Sequence, residues 1–277
     1  MNREIAVIAT TADSASLNIA DHLLGLGSWE EGGAFRRLRN FRLVLLEERL
    51  IGLEGLEVRL EGMGLSPALI VFASRHQAKD GAPRLCGHFS GNPGEAVLGG
   101  RARELAVAAP GALKSFISNL LAHPVEGFDV TLEATHHGPT DLTVPSFFAE
   151  IGSCEREWSD PAAGEAVARS ILDLEELHPP AFLGFGGGHY VTRQNRLLLE
   201  TKIAFGHLFS KYQARDLEIE ILEEARMKSE AVGAYLDRKS LRSAEREKIS
   251  GALEEIGLQA LREGEIRERY PLPLLSS

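Results

Sequence analysis

The chain has 277 residues, of which 44% are hydrophobic and 25% are charged, and this composition is typical of a folded chain with one large or two smaller domains. The formal net charge of −10 argues against broad, nonspecific binding of nucleic acid, although it leaves room for a local basic groove. No apolar run of about 18 residues and no signal-peptide pattern is found, so a cytoplasmic protein without a membrane span is expected.

Apolar segments with the length of strands alternate with helical patterns, which predicts an α/β fold. The predicted strands begin at Glu4, Leu43, Leu56, Ala68, Asp129, Ser146 and Ala181. The predicted helices span Ser14–Leu26, Pro110–Ala122 and Pro161–Leu177. Asp160 is the expected N-cap of the last helix, with Pro161 in its first turn. Because several strands are apolar throughout, we expect a mixed or parallel sheet that is flanked by helices.

The segment from Asp216 onwards is helical in pattern and rich in charge. No internal repeat and no convincing linker divides the chain. The sequence therefore predicts a single α/β domain over residues 1–277, in which residues 216–277 form a helical C-terminal extension.

Six of the nine histidines occur in short segments that are rich in glycine and polar residues. These segments are residues 74–79 with 86–90, 133–140, 184–190 and 206–212. Histidine moves protons near neutral pH or binds metals, and glycine allows close approach to it. Four such segments, far apart in the chain, predict one site that is assembled by folding.

Three of these segments directly follow a predicted strand. Arg75-His76, His136-His137 and Gly188-His189-Tyr190 each come at the carboxyl end of an apolar run. Open α/β sheets bind ligands at the carboxyl ends of their strands. The three segments are therefore expected to meet at one edge of the sheet.

The motif Thr135-His136-His137-Gly138 raises the question of which histidine enters the site. Successive side chains of a strand point to opposite faces, so at most one of the two histidines is expected to enter directly. If the alternation holds, Glu133 and Thr135 share a face with His137, although a kink at the following Gly-Pro pair could override it.

The glycines Gly186, Gly187 and Gly188 precede His189. A dinucleotide-binding loop is excluded because His189 stands where the last glycine of GxGxxG is needed. The backbone amides could face an anion or a carbonyl oxygen, and a simple tight turn explains the glycines equally well.

The residue types favour hydrolysis by water. The sequence has no GxSxG elbow and no convincing Cys-His setting, and its two cysteines lack CxxC spacing. In one route a histidine or Glu133 takes a proton from water while backbone amides hold the oxyanion. In the other, histidine and carboxylate ligands hold a zinc ion. No HExxH pair decides between the two routes.

Residues 71–116, 130–158, 182–193 and 204–212 resemble the archaeal and plant type of D-aminoacyl-tRNA deacylase. The combination of THHGPT and GFGGGHY in this order and spacing is specific, and the resemblance covers nearly the whole chain. It implies hydrolysis of the ester bond between a D-amino acid and tRNA. It also implies a fold related to peptidyl-tRNA hydrolases and phosphorylases, two zinc ions per subunit, and a monomer with tRNA as its partner.

The resemblance also implies a set of site residues. The expected catalytic residues are His76, Glu133, His136, His137, His189 and His207. The expected substrate-binding residues are Ser74, Arg75, Lys79, Thr135, Gly138, Thr140, Gly186, Gly187, Gly188, Tyr190 and Lys211. Metal ligands are expected among His137, His189 and His207. The sequence Leu-Phe-Ser between His207 and Lys211 departs from the family, which commonly has a proline before this lysine.

Two other classes of function remain open at this stage. A metal-dependent hydrolase or phosphorylase of a small molecule would use the same site and would suit the acidic charge. A non-catalytic module that binds RNA or stores metal would use the histidines only as ligands.

Overall fold

The computed structural model describes residues 3–272, which form a mixed α/β fold. Its strands are β1 (Ile5–Thr10), β2 (Glu30–Glu31), β3 (Arg36–Leu38), β4 (Phe41–Leu46), β5 (Leu69–Gln77), β6 (Arg84–His88), β7 (Gly91–Asn92), β8 (Glu104–Leu105), β9 (Asp129–Leu132), β10 (Ser146–Ser153), β11 (Ala181–Phe185), β12 (Ala204–Phe209), β13 (Ala231–Leu236) and β14 (Ala260–Leu261). Its helices are α1 (Ser14–Gly25), α2 (Leu56–Gly62), α3 (Pro110–Ala122), α4 (Glu155–Trp158), α5 (Pro161–Leu172), α6 (Thr192–Glu200), α7 (Lys211–Ala214), α8 (Ile219–Ser229), α9 (Ser243–Glu255) and α10 (Glu263–Arg269). None of these helices is long and apolar enough to cross a membrane.

The larger sheet is mixed and has the strand order β2-β3-β4-β1-β5-β10-β6-β9. Strands β4, β1, β5 and β10 are parallel, whereas β6 and β9 run in the opposite direction. Helices α1, α3 and α5 cover one face, and α2 with the loops around it covers the other. The prediction of a mixed sheet flanked by helices is confirmed.

The smaller sheet has the order β12-β11-β13-β14 and is parallel. Phe182, Phe205 and Tyr235 of this sheet lie in the same hydrophobic core as Val7 and Val71 of the larger sheet. Helices α8 and α9 cover its other face.

The prediction that residues 216–277 form a helical extension misses two strands, and residues 273–277 lie outside the described part. Strands β13 and β14 lie within that extension and complete the smaller sheet. The charged helices around β13 dominate the pattern of the sequence and mask this short buried strand.

Most predicted elements near the site are confirmed. Helix α3 has the predicted bounds, and Asp160 caps α5 by accepting hydrogen bonds from the amides of Ala162 and Ala163. Helix α5 ends at Leu172, five residues earlier than predicted, before the prolines at 179 and 180.

The predicted strand at Leu56 is wrong, because these residues form helix α2. Leu56 and Leu60 are buried on one helical face at a spacing of four residues, and Gly55 precedes them in the left-handed conformation. Strands β6 and β12 were not predicted. Gly87 interrupts the apolar pattern of β6, where a Cβ atom would come within 2.6 Å of the Leu113 side chain.

Candidate active site

One face of the larger sheet carries the polar side chains of the candidate site. The register pairs Ser74 with Glu150 and Glu150 with Cys86, and it pairs Phe148 with His88. Paired residues and every second residue along a strand share a face. The face that carries apolar Phe148 therefore also carries a patch of polar groups, which includes Ser74, Glu150 and His88.

The direction of β9 corrects the expectation that the motifs meet at one edge of the sheet. Strand β9 runs opposite to β5, so the carboxyl ends of these two strands lie at opposite ends of the sheet. Glu133 nevertheless reaches His76, because both side chains lie over the same face of the sheet. The site is assembled across a face, not along one edge.

The alternation predicted for the two adjacent histidines is also wrong. Strand β9 ends at Leu132, and His137 has a φ angle of 49°, which breaks the extended conformation. The rings of His136 and His137 consequently lie side by side, with centroids 4.4 Å apart. Both histidines enter the site.

His88, His136 and His137 form what we call the three-histidine group. The His88 ring centroid lies 4.2 Å from that of His136 and 4.8 Å from that of His137. Each Nδ1 atom lies within hydrogen-bond distance of a backbone carbonyl oxygen: Phe89 O at 3.1 Å, Ala134 O at 2.8 Å and Gly138 O at 2.7 Å, respectively. A carbonyl only accepts, so each Nδ1 carries the hydrogen and each Nε2 is left with a lone pair.

Burial keeps these three imidazoles neutral. It lowers the pKa of His88 to about 4 and that of His137 to about 3, and it places the pKa of His136 well below its ordinary value. Neutral imidazole is the form that binds a metal.

The three-histidine group fits a metal ion. Its ligand atoms all lie within 4.8 Å of one another. Among the described residues, the buried Nε2 of His88 has no hydrogen-bond partner, and Glu150 Oε2 lies 3.5 Å away. Three histidines with a free fourth position are the ligand set of a catalytic zinc site.

Glu133, His76 and His189 form what we call the Glu133 group. Glu133 Oε2 lies 2.9 Å from His189 Nε2, and Glu133 Oε1 lies 3.1 Å from His76 Nδ1. Burial alone would raise the pKa of Glu133, but the hydrogen bond from His189 and the close approach of His76 outweigh it and hold the pKa well below its usual range. Glu133 is therefore an ionised carboxylate in the interior.

The charge of Glu133 acts in turn on the two histidines. Burial alone would lower their pKa values, but the interaction with Glu133 is stronger and raises the pKa of both His76 and His189 above the ordinary value. The His189 side chain is 41% exposed, so it can reach solvent and substrate. The Glu133 group can therefore carry protons, whereas the three-histidine group cannot readily do so.

Glu150 and Cys86 lie beneath the Glu133 group. Burial, with the nearby charge of Glu133, raises the pKa of Glu150 well above its usual range. Burial likewise raises the pKa of the Cys86 thiol. These residues, with His76 and Glu133, have donor atoms within metal-binding distance of one another. A protonated thiol is a poor ligand, so this set fits a metal less well than the three-histidine group.

Tyr190 holds His76 from the outside. Its hydroxyl lies 2.7 Å from His76 Nε2 and accepts a hydrogen bond of 3.0 Å from Arg84. The Arg84 guanidinium lies 4.0 Å from the Tyr190 ring centroid and donates two bonds of 2.8 Å to Asp80. This chain of contacts fixes the position of the His76 ring.

A pocket of about 250 Å³ is lined by two histidines of each group, while His88 and Glu133 lie behind its wall. It is lined by Thr10, Ala12, Asp13, Arg49, Leu50, Ile51, Ser74, Arg75, His76, Gln77, Leu98, His136, His137, Glu150 and His189. The pocket thus brings together neutral histidines, histidines whose pKa is raised, and carboxyl groups, a combination that suits hydrolysis assisted by a metal.

Comparison with known proteins identifies the family of this chain. The family model described as D-aminoacyl-tRNA deacylase matches residues 63–261. The chain belongs to this family. A relative named D-aminoacyl-tRNA deacylase from Methanosarcina mazei is 49% identical over 98% of this chain and 96% of its own length. A relative of the same name from Methanothrix thermoacetophila is 47% identical, over 95% of this chain and 98% of its own.

A solved structure supports the fold of this deacylase-family chain. The crystal structure of a conserved protein of unknown function superposes with a TM-score of 0.91 at 34% identity, and the match covers 98% of this chain and 99% of the other. The mixed α/β architecture described above is therefore shared with an experimentally determined structure.

Several residues expected at the deacylase site lie elsewhere in this family member. His207 is fully buried, with Nδ1 3.1 Å from Thr135 Oγ1 and Nε2 3.0 Å from Ala106 O. It does not line the pocket, and neither does Thr135. Both residues instead link β12 to the segment that carries the paired histidines.

Gly138 and Thr140 do not line the pocket and contact neighbouring segments instead. A Cβ atom on Gly138 would come within 2.4 Å of the Gly100 amide nitrogen, so only glycine fits there. The Thr140 hydroxyl donates to Glu104 and accepts from the amide of Arg101. These contacts hold the loop that carries His137 in place.

The three-glycine loop makes a turn in front of His189. Gly186 and Gly187 have φ angles of 95° and 85°, which favour glycine. Their amides donate to Phe209 O and Ser240 Oγ, so these two donors are already engaged. Of this loop, His189 is the residue that lines the pocket.

The three basic residues expected to bind substrate lie at or near the surface. Arg75 lines the pocket, with its guanidinium 4.8 Å from the ring centroid of Trp158. Lys79 and Lys211 are exposed. The Lys211 amide donates to Gly187 O, which places this lysine beside the loop that leads to His189.

His88 is the residue that sequence reasoning left without a role. It lies in one of the histidine segments, but neither spacing nor resemblance assigned it to the site. The strand that carries it was not predicted, and its position opposite Phe148 follows from strand pairing alone. The neighbouring Gly87 is the feature of the sequence that could have indicated a closely packed position for His88, because a Cβ atom there would come within 2.6 Å of the Leu113 side chain.

Proposed function

We propose that this chain hydrolyses the ester bond of D-aminoacyl-tRNA, which releases a D-amino acid and free tRNA. The observation that carries the proposal is a single pocket, in a member of the deacylase family, that is lined by His136 and His137 of the three-histidine group and by His76 and His189 of the Glu133 group. The ester lies at the very end of the tRNA, so a small pocket suffices for the reacting part of the substrate.

We propose zinc as the cofactor and the three-histidine group as its site. Neutral rings, aligned tautomers and the unpartnered Nε2 of His88 support this assignment. When bound, zinc supplies a Lewis acid that polarises the ester carbonyl and activates water. The family resemblance implies two ions per subunit. A second ion would have to compete with the bond between His189 and Glu133, so we assign only one site.

The Glu133 group moves the protons of the reaction. His189 takes a proton from the attacking water, because it is partly exposed and its partner carboxylate stabilises the protonated ring. The proton then passes to the ribose oxygen as the ester C–O bond breaks. His76 sits on the other oxygen of Glu133 and keeps that carboxylate oriented.

The tRNA is held by contacts outside the pocket. Arg75 lines the pocket, and Lys79 and Lys211 are exposed on segments that lead to pocket residues Gln77 and His189, on a chain that is acidic overall. Such a local patch suits the phosphates at the 3′ end of tRNA, while the rest of the substrate extends into solvent.

We also propose that residues 1–277 form a single domain. The hydrophobic core that the two sheets share within the described residues 3–272 supports this proposal. We further propose a relationship to phosphorylases and peptidyl-tRNA hydrolases, a monomeric state and a cytoplasmic location, all of which accord with the proposed function.

The function is tested by the release of D-tyrosine from D-tyrosyl-tRNA, with L-tyrosyl-tRNA and a free D-tyrosine ester as comparison substrates. We expect rapid hydrolysis of D-tyrosyl-tRNA alone, and loss of activity with a chelator. Preference for the free ester would favour a hydrolase of small molecules. Binding of tRNA without any hydrolysis in the zinc-loaded protein would favour a non-catalytic module.

A further inference from the structure

The pocket beside the histidines has two chemically different flanks. Leu50, Ile51 and Leu98 form what we call the apolar flank. Asp13, which caps α1, forms what we call the polar flank together with Ser74 of β5 and Glu150 of β10. Every flank residue lines the same cavity as the reactive groups, so a ligand that reaches the histidines contacts both.

The apolar flank is fixed to the three-histidine group by backbone contacts. The Gly138 amide donates a hydrogen bond of 3.2 Å to the carbonyl of Leu98. A Cβ atom on Gly99 would come within 1.9 Å of Ile51 O, and one on Gly138 within 2.7 Å of the same oxygen. The three segments therefore touch backbone to backbone, and the apolar flank stands at a fixed position beside His137.

Leu98 is 53% exposed although it is apolar and lines the pocket. Binding of an apolar ligand group over a half-exposed leucine is favourable, because it removes apolar surface from water. Arg49, which directly precedes Leu50, also lines the pocket and carries a positive charge. This flank therefore attracts apolar groups, and its leucine and isoleucine side chains offer an ammonium group no acceptor. Arg75 also lines the pocket, on the side of Asp13, so the difference between the flanks lies in their acceptors.

The polar flank has the opposite character. Asp13 Oδ1 accepts the amides of Ala15 and Ser16, and Oδ2 accepts the amide of Arg75. These bonds hold the carboxylate in one orientation at the pocket wall. A carboxylate beside Ser74 and the carboxyl group of Glu150 suits an ammonium group.

From this asymmetry we infer that the apolar flank receives the side chain of the esterified D-amino acid, while the polar flank receives its ammonium group. The inference rests on the proposed function and deepens it. With the ester carbonyl held at the histidines, the two enantiomers exchange the positions of side chain and ammonium. An L-amino acid would place its ammonium group against Leu98 and its side chain against Asp13. Selectivity then arises from this mismatch, as expected where rejection needs unfavourable contacts.

The test uses substitutions of Leu98, whose exposure makes them compatible with folding. We expect Leu98→Ala to lower kcat/KM for D-phenylalanyl-tRNA by roughly 5- to 20-fold, because one large apolar contact is lost. With D-alanyl-tRNA, whose side chain is a single methyl group, we expect a change of less than about twofold on the same grounds. Val97→Ala is the matched control: Val97 is the neighbouring residue, is 82% exposed and does not line the pocket, so both substrates should behave as with the unsubstituted protein.

Leu98→Asp tests the chirality argument directly. A carboxylate on the apolar flank accepts the ammonium group of an L-amino acid, so we expect the ratio of D- to L-phenylalanyl-tRNA hydrolysis to fall by about 10-fold or more. An unchanged ratio, or an equal loss with D-alanyl- and D-phenylalanyl-tRNA in Leu98→Ala, would overturn the inference and leave the proposed function intact. An unsubstituted protein that does not hydrolyse D-aminoacyl-tRNA would overturn both.

Discussion

The three-histidine group and the Glu133 group lie in contact, yet their surroundings give their histidines different chemistry. Backbone carbonyls face the Nδ1 atoms of His88, His136 and His137, and burial keeps these rings neutral. A buried carboxylate faces His76 and His189 and raises their pKa values. The hydrogen-bond partner of each ring, and not the residue type, therefore decides whether a histidine is suited to metal binding or to proton transfer.

The largest effect is expected from loss of the metal. Treatment with a chelator, or the substitution His88→Ala, should lower kcat/KM for D-tyrosyl-tRNA by at least about 100-fold, because Lewis-acid assistance is worth several kcal/mol. Added zinc should restore the chelated protein but not His88→Ala. His123→Ala is the control, since His123 pairs with Asp173 away from the pocket. Full activity after verified metal removal would contradict the metal role.

The second-largest decrease in activity is expected from loss of the His189 side chain. We expect His189→Ala to lower kcat by about 100- to 10,000-fold, because proton transfer by a positioned side chain is lost. KM should change little, since the pocket walls and the surface cations are kept. Single-turnover kinetics measure this split. A variant that alters KM alone would show that His189 only binds substrate.

The charge of Glu133 should be visible in the pH profile. A catalytic base acts in its neutral form, so activity rises as pH increases through the pKa of His189. In Glu133→Gln the carboxylate that raises this pKa is gone, and the acid limb of the profile should move to lower pH. A profile of unchanged shape and position, merely lower in rate, would contradict this coupling.

Tyr190→Phe should produce a smaller effect. The substitution removes the hydroxyl between His76 and Arg84 but keeps the ring on which Arg84 stacks. One hydrogen bond of this kind is worth about 0.5–1.5 kcal/mol, so we expect kcat to fall by about 2- to 10-fold. A loss as large as that of His189→Ala would mean that Tyr190 itself takes part in the chemistry.

Loss of His207 should affect stability and not the reaction. We expect His207→Leu to lower the free energy of unfolding by about 1–3 kcal/mol, because Thr135 and Ala106 lose their buried partner. Urea unfolding measures this change. Zinc binding at saturating metal should be unaffected. A loss of bound zinc would show that His207 is a metal ligand.

The pH dependence of that stability has a definite sign. Burial lowers the pKa of His207 from 6.5 to about 4, so the unfolded chain takes up a proton that the folded chain does not. Stability should therefore be full above pH 6.5 and decline as the pH falls towards 4. His207→Leu should show a shallower decline than the unsubstituted protein, and an identical decline would contradict this reasoning.

Sequence patterns predicted the parts of the fold that follow from local periodicity. Helix α3 and the cap of α5 were predicted at the correct residues, whereas β13 was hidden between charged helices. Most histidines of the site were identified as well. What could not be predicted depends on strand pairing: the reversed direction of β6 and β9 places His88 in the site and moves the site from an edge to a face.

The roles of single residues needed geometry of the same kind. His136 and His137 appeared to alternate, but the positive φ angle of His137 brings both rings to one side. His207 matched a family motif, yet its two ring nitrogens are engaged inside the protein. Neither fact is encoded in spacing, because both depend on where neighbouring segments pack.

The most direct test of the division between the two groups is the zinc content of His88→Ala and His189→Ala, measured side by side by mass spectrometry of the folded proteins. We expect His88→Ala to lose the bound zinc and His189→Ala to retain it while being inactive. Equal loss of zinc from both variants would contradict the separation of metal binding from proton transfer on which the proposed mechanism depends.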